Sequence, residues 1–270
     1  MAPAERDMRA YYDDVAASYA AIENAYGPLA AALVREAEIA PGHHVLDLCT
    51  GTGLAAHEVA CITDRVTAVD FSVGMVHAAQ RRGTPGLVLG DAESLPFAPA
   101  AFDRVVAAFA FNSTDPARSL PEARRVLRPG GMLCLQEWGL QEPLSALLSE
   151  TVLAYSVDDP PPDLARQREQ LDQPMPWDAL ETFDDLRDLL EDVGFEVTES
   201  ALVEPVVPLS VEAFIAFKVV WPTRQREIAA MAPEVRDLLF SDLEENLQAQ
   251  TNRQGLLEWT PRLYRVKAVR

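Results

Sequence analysis

Residues Val45 to Gly53, VLDLCTGTG, carry an apolar strand into a glycine turn, and the next apolar run, VTAVDFS, closes on the carboxylate of Asp70. Strand, glycine turn, helix, strand and acid in that order make the nucleoside-binding half of an open α/β sheet. Glycines let the backbone approach a ligand closely, and an acid ending the next strand can accept two hydrogen bonds from a ribose diol. The stretch points to a nucleoside-bearing cofactor.

Outward from this stretch the pattern keeps alternating. Strand Val45–Leu48, helix Leu54–Cys61, strand Arg65–Asp70, helix Val73–Arg82 and strand Leu87–Gly90 are followed by strand Phe102–Phe109, a helix near Pro116–Val126, the turn Pro129-Gly130-Gly131 and strand Met132–Glu137. Strands separated by short helices without hairpin signals imply right-handed crossovers and a parallel sheet. Upstream, two helical patterns, near Met8–Asn24 and Leu29–Glu38, end at Pro41-Gly42. Downstream, a polar, proline-bearing insertion (DDPPPD, QPMP) fills residues 139–180 before helix Thr182–Val193 and its Gly194 stop. Loops that long are usually functional. A strand near Glu196–Glu204, amphipathic helices over about Val211–Gln250 and a final alternating segment, LYRVKAV, read as an edge strand, complete the chain.

At 270 residues, with 49% hydrophobic and 24% charged residues, the chain suits one α/β core with elaborations. A formal net charge of −19 repels phosphate backbones and anionic lipid, which disfavours nucleic-acid and membrane partners and leaves a small-molecule substrate. Cys49, Cys61 and Cys134 lie far apart without CxxC spacing, so neither a disulfide framework nor a metal site is expected. No apolar run reaches the roughly 18 residues that span a bilayer, and the N-terminus lacks a signal-peptide core; the expectation is a cytoplasmic protein. The oligomeric state stays open, a homodimer included.

The turn also spells Gly51-x-Gly53-x-x-Ala56, which satisfies the dinucleotide fingerprint with Asp70 at a suitable distance, so a nicotinamide enzyme is a rival. Against it stand the acid Asp47 ahead of the turn, the helical region before the first strand, GDAESLPF after the third, and the terminal strand.

VLDLCTGTG, VTAVDFSVGMV, GDAESLPF, FDRVVAAFAFNSTDP and RVLRPGGMLCLQEW, in this order and spacing, resemble the class I S-adenosylmethionine (SAM) dependent methyltransferases. The likeness is strongest to the branch with ubiquinone/menaquinone-type C-methyltransferases and many natural-product methyltransferases. It covers about residues 45–138 and resumes at LLEDVGFEV and the last strand. It implies one domain, 1–270, with a Rossmann-like seven-stranded, mostly parallel sheet and helices on both faces. Residues 1–40 would form an N-terminal helical lid, and insertions 139–180 and 207–258 a helical cap over the substrate pocket.

The resemblance also implies roles. Asp47 and the turn of Cys49, Thr50, Gly51 and Gly53 would cradle the methionine end, Asp70 the ribose hydroxyls, and Asp91 with the Ala92 backbone the adenine. Phe71, Met75 and Leu95 could sandwich the adenine ring, Phe109 would lie beneath the sulfonium, and Tyr19, in YYDDVAASYA with Tyr11 and Tyr12, resembles a tyrosine that closes over the cofactor. SAM carries no phosphate, so the turn needs close approach and a nearby anion more than a phosphate nest. The family's DxGxGxG reads DLCTGTG here, and Cys49 is taken as a small replacement for glycine, not a nucleophile.

The activity implied is SAM-dependent O- or C-methylation of a small, largely apolar acceptor, of the kind that tailors natural products. The alternatives are a non-methylating reaction such as cyclisation on the same fold, with SAM retained or absent, and a non-catalytic binding partner. Glu137, at the end of the fifth strand, is the candidate base and Asn112 its orienting partner. The aromatic residues Trp177, Phe214, Phe217, Trp221 and Phe240, with Met231, are spaced to build the cap.

Overall fold

The computed structural model describes residues 8–16, 18–171 and 182–270. Helix α1 (Met8–Ala16) leads through a short 3₁₀ turn, Tyr19–Ile22, into α2 (Glu23–Glu36). The boundaries differ from the two expected helices: the first is described over Met8–Ala16, and the second starts at Glu23 and runs through Pro28. Proline removes an intrahelical hydrogen bond, but burial of Ala25, Tyr26, Leu29, Ala30, Leu33 and Val34 along one face holds α2 continuous.

Next come β1 (Val45–Leu48), α3 (Leu54–Ala60), β2 (Val66–Asp70), α4 (Val73–Arg82), β3 (Leu87–Leu89), β4 (Phe102–Ala108), α5 (Pro116–Val126) and β5 (Leu127–Trp138). Local chemistry sets the ends. The Ser72 hydroxyl caps α4 by accepting from the Met75 N–H at 3.1 Å, and Gly83 ends it in the left-handed conformation. Asp115 caps α5, whose first position is Pro116. Strands β1, β2, β3, β4 and β5 pair in parallel in the order β3-β2-β1-β4-β5, so the chain reverses its direction of winding between β1 and β4. Ligands of such sheets bind outside the carboxyl ends of the strands at this reversal.

After β5 the chain forms α6 (Pro143–Ala154), α7 (Pro162–Leu171), α8 (Phe183–Val193) and β6 (Glu196–Val203). Thr182 and Asp185 make a reciprocal capping box on α8, and Gly194 closes it at φ 94°. Strands β7 (Val207–Leu209) and β8 (Leu257–Trp259) pair antiparallel and bracket α9 (Val211–Val219), α10 (Pro222–Ala230) and α11 (Pro233–Gln248); this small clasp was not foreseen. Trp259 and Phe214 at its base are fully buried. Burial of such rings stabilises by about 1.5–3 kcal/mol each, which roots the helices onto the sheet. The QPMP stretch and Trp177 lie outside the described residues.

The last strand, β9 (Leu263–Val269), corrects one expectation. It is not an edge: it runs antiparallel between β5 and β6, and the largely exposed β6 is the outer strand. The alternation that suggests a solvated edge comes from Arg265 and Lys267, yet both are buried. Arg265 donates to Glu36 Oε1 at 2.5 Å and Gln136 Oε1 at 2.8 Å, and Lys267 to Glu38 at 3.1 Å and Glu199 at 3.0 Å. Their neighbours Val266 and Ala268 face the opposite way and pack against Leu186 and Leu190 of α8. Among the described residues no helix is long and apolar enough to cross a membrane.

Candidate functional site: a cavity at the strand reversal

The carboxyl ends of β1, β2, β4 and β5 border one cavity of about 620 Å³, roofed by α1, the 3₁₀ turn, α7, α9 and α10. On its sheet side lies the glycine turn. Asp47 is buried, and its Oδ2 accepts from the Thr50 hydroxyl at 2.5 Å and the Ala56 N–H at 2.9 Å. Burial pushes this carboxyl up to about 7, against the pull of those two bonds. Asp70 takes the Gly51 N–H at 2.8 Å on Oδ2 and the Ser72 N–H at 2.9 Å on Oδ1, while facing the cavity. Burial raises this acid too.

Two residues in the turn carry backbone strain or close packing. Cys49 lines the cavity at φ 54°, the left-handed region that favours glycine, and burial beside Asp70 and other acids raises its thiol. A thiol held protonated is a poor nucleophile. Gly53, at φ 83°, does not line the cavity; a Cβ there would collide with the Thr84 hydroxyl, so the glycine serves packing against the segment after α4. Gly51 opens onto free space.

Aromatic rings make the far wall. Phe109, at φ 62° just beyond β4, stacks on Trp138 with centroids 4.3 Å apart and planes 18° from parallel. Tyr26 meets Phe109, Trp138 and Phe217 edge-on at 5.2–5.7 Å. Tyr19 meets Trp221, the residue before α10, edge-on at 6.1 Å. Offset and edge-on pairs of this kind add about 0.5–1.5 kcal/mol beyond area burial, so the wall is firm. Tyr11, Tyr12, Phe71 and Met75 line the side nearest α1.

Of the sequence candidates, the structure gathers Tyr19, Asp47, Cys49, Thr50, Gly51, Asp70, Phe71, Met75, Phe109 and Asn112 around this cavity. Asp91 and Ala92 stay outside it: Asp91 is exposed, its Oδ1 accepting from the Glu93 N–H at 2.9 Å within its own turn. Leu95 is buried behind the wall. Glu137 lies outside as well. Its Oε1 accepts from the Phe111 N–H at 2.6 Å, its Oε2 is buried without a hydrogen-bond partner among the described residues, and burial pushes it up to about 8. The geometry corrects the expected contact with acceptor: Glu137 holds the 110–112 loop from behind, and Asn112 on that loop faces the cavity with an unpartnered buried Oδ1.

The family described as "Methyltransferase domain" matches residues 46–135 of this chain. A demethylmenaquinone methyltransferase of Mycobacterium sp. (strain KMS) is 45% identical over 101 residues, 37% of this chain and 44% of the relative. Over those residues the chain is similar to the methyltransferase domain. In that match it spans less than half the length of the relative. Among solved structures, phosphoethanolamine N-methyltransferase 2 of Haemonchus contortus, in complex with phosphomonomethylethanolamine and S-adenosylhomocysteine, superposes with a TM-score of 0.58 at 16% identity over 99% of this chain and 61% of that one. The cyclase SpnF superposes with a TM-score of 0.51 at 21% identity over 90% of this chain and 80% of that one. At such identities the likeness is one of fold.

The cavity fits SAM by its own donor set. Asp70 retains lone pairs for a ribose diol, Asp47 and the orphaned Asn112 Oδ1 can accept from an ammonium, and the Phe109–Trp138 stack can face a sulfonium. Sequence reasoning missed Trp138, Tyr26 and Lys218. Trp138 ends β5 as Phe109 follows β4, so strand-end logic pointed to it. Lys218 is the lone cation in VEAFIAFKVVW, a stretch apolar but for it and Glu212, and that was its signal.

Proposed function

We propose that this chain is a SAM-dependent methyltransferase acting on a small, largely apolar acceptor, by O- or C-methylation, in the manner of enzymes that tailor quinones or natural products. The observation that carries the reading is the continuity of one cavity from the Asp70 carboxylate to the aromatic wall under the cap. SAM supplies an electrophilic methyl on a sulfonium that is its own leaving group.

The chain's part is then alignment and exclusion of water. Asp70 and the turn fix one end of the cofactor, and Phe109 and Trp138 set the plane against which the acceptor lies. Positioning of this kind can contribute about 7–11 kcal/mol, more than the 10²- to 10⁴-fold typical of one general base. Glu137 acts as a positioning residue for Asn112. The acid sits behind the wall, and the amide meets the reactants.

The reading is tested by incubating the protein with SAM and a panel of quinols and phenols, with mass spectrometry of both products. A gain of one methylene mass with equimolar S-adenosylhomocysteine is expected. A product isomeric with its acceptor, formed without S-adenosylhomocysteine, would overturn methyl transfer in favour of rearrangement chemistry on this fold.

A further inference from the structure

The cap brings three cations to the two cavities, none used by the cofactor reading: Arg226 donates to Gln167 Oε1 at 3.0 Å, and Lys218 and Arg224 share one wall. Lys218 of α9 reaches the cavity across a bed of rings, its Nζ 4.6 Å from the centroid of Phe217, 5.1 Å from Trp259 and 5.6 Å from Phe214. Among the described residues it has no hydrogen-bond acceptor and no ion pair. The acid in its field, Glu142, is already engaged as the cap of α6, accepting from the Leu144 and Ser145 N–H groups at 2.8 Å each and from Trp259 Nε1 at 2.9 Å.

Lys218 also lines a second cavity of about 310 Å³ that shares Tyr11, Trp221 and Thr223 with the first and continues to Ser149 and Arg224. Arg224 donates to the Ser149 hydroxyl at 3.2 Å. The acid in its field, Glu227, is held by Arg168 through two bonds of 2.8 Å. Burial lowers both cations from their ordinary values, Lys218 to about 8. A chain with a net charge of −19 thus leaves two half-buried cations on one cavity wall without a carboxylate of their own among the described residues. Aromatic faces attract an ammonium but accept none of its three N–H bonds in full, and two neighbouring like charges repel. An anion in the second cavity answers both deficits.

We propose that the acceptor carries an anionic oxygen group, a carboxylate or an ionised hydroxyl, that docks between Lys218 and Arg224 where the second cavity opens off the first, with its apolar body against Trp221 and Phe217. The inference rests on the methyl-transfer reading and narrows its substrate class to acids.

Calorimetry on the full chain saturated with S-adenosylhomocysteine tests it with two matched pairs: 2-naphthoate against 2-naphthamide for the carboxylate, and 4-nitrophenolate against 4-nitroanisole for the ionised hydroxyl. The charged member of at least one pair should bind about tenfold more tightly or better, as a charge-assisted hydrogen bond implies. Which pair shows the preference identifies the group. Lys218→Met and Arg224→Met should each remove most of that preference, and Lys218→Arg should restore part of it, all with unchanged affinity for S-adenosylhomocysteine. If Lys218→Met fails to fold, the partly exposed Arg224→Met carries the test. Equal affinity within both pairs, or a preference that survives the Arg224→Met and Lys218→Met changes together, overturns the proposal. So does a loss of S-adenosylhomocysteine affinity in a folded Lys218→Met protein, which would assign the lysine to the cofactor's own carboxylate. A wild-type chain that takes the acid but not S-adenosylhomocysteine would keep the anion site and overturn the transfer reading instead.

Discussion

Asp70 Oδ2 accepts the Gly51 N–H at 2.8 Å, so the acid that ends β2 also anchors the glycine turn that follows β1. One carboxylate therefore shapes both the turn after β1 and the end of β2 at the cavity. Asp70→Ala removes charge-assisted bonds worth about 1.5–3 kcal/mol each and frees the turn, so S-adenosylhomocysteine affinity should fall at least about thirtyfold by calorimetry. Unchanged affinity would separate the ribose from this residue.

Glu137 titrates in a way that tests its role. Its folded value is raised to about 8 from 4.5, so its stabilising contribution is complete below 4.5 and is lost as pH rises through 8. Glu137→Gln keeps the Oε1 that receives the Phe111 N–H and never ionises. Its melting temperature should therefore fall less than that of the wild type between pH 5 and 9, with turnover within about threefold, since no transferred proton passes through it. Glu137→Ala leaves that N–H unpaired in the interior and should lose about 1–3 kcal/mol of stability. A hundredfold loss of turnover in Glu137→Gln with intact cofactor binding would restore the acid as the base.

Burial holds Asp47 up at about 7, with no cation beside it among the described residues. An arriving ammonium favours the ionised form, so binding should release a proton below pH 7. Affinity for S-adenosylhomocysteine should rise by up to about tenfold per pH unit toward 7 and level off above it, with proton release visible as a dependence of calorimetric heat on buffer. Asp47→Asn should bind more weakly with a flat profile over the same range. A wild-type profile that is flat from pH 5.5 to 7 would place the ammonium elsewhere.

Cys49 adopts a conformation that costs a β-carbon about 1–2 kcal/mol relative to glycine. Cys49→Gly should preserve cofactor affinity and leave the melting temperature equal or higher, because relief of strain offsets the extra freedom of the unfolded chain. Cys49→Val, branched at the crowded carbon, should lower both. If Cys49→Gly abolishes turnover while S-adenosylhomocysteine still binds, the thiol has a chemical role that its raised, protonated state argues against.

The parallel half of the sheet and its site were legible because strand, turn, helix and strand-end acid are local patterns. Val45–Leu48 and the Asp70 strand end fell where the apolar runs placed them, and ten candidate residues meet at one cavity. Long-range charge pairing hid the rest. Arg265 and Lys267 look solvated until Glu36, Glu38 and Glu199 are brought beside them from distant segments, which is why β9 read as an edge. Gly53 fitted a ligand motif, but its freedom from a side chain is used by Thr84. Glu137 lies one residue before the ligand-side end of its strand, yet its direction depends on the loop it caps, and no spacing encodes that.

Helix α1 is tied to the start of α4, just past Asp70, by one carboxylate. Asp13 Oδ1 accepts from the Ser72 hydroxyl at 2.5 Å and the Gly74 N–H at 2.8 Å, two to four residues past Asp70, and these bonds hold the acid below its ordinary value. Gly74 allows the approach, since a Cβ there would lie 3.0 Å from that of Ala16 and 3.1 Å from the Asp13 backbone. The latch is exposed, so Asp13→Ala should raise the S-adenosylhomocysteine dissociation constant by no more than about tenfold, chiefly through faster release, with the melting temperature little changed. Gly74→Ala, acting by contact and not by charge, should do the same at every pH. The Asp13 contribution should instead be present above 3.8 and fade as pH falls through its lower folded value. Stopped-flow release measured on both variants separates the two causes, and identical release from all three proteins would show that α1 does not hold the cofactor in place.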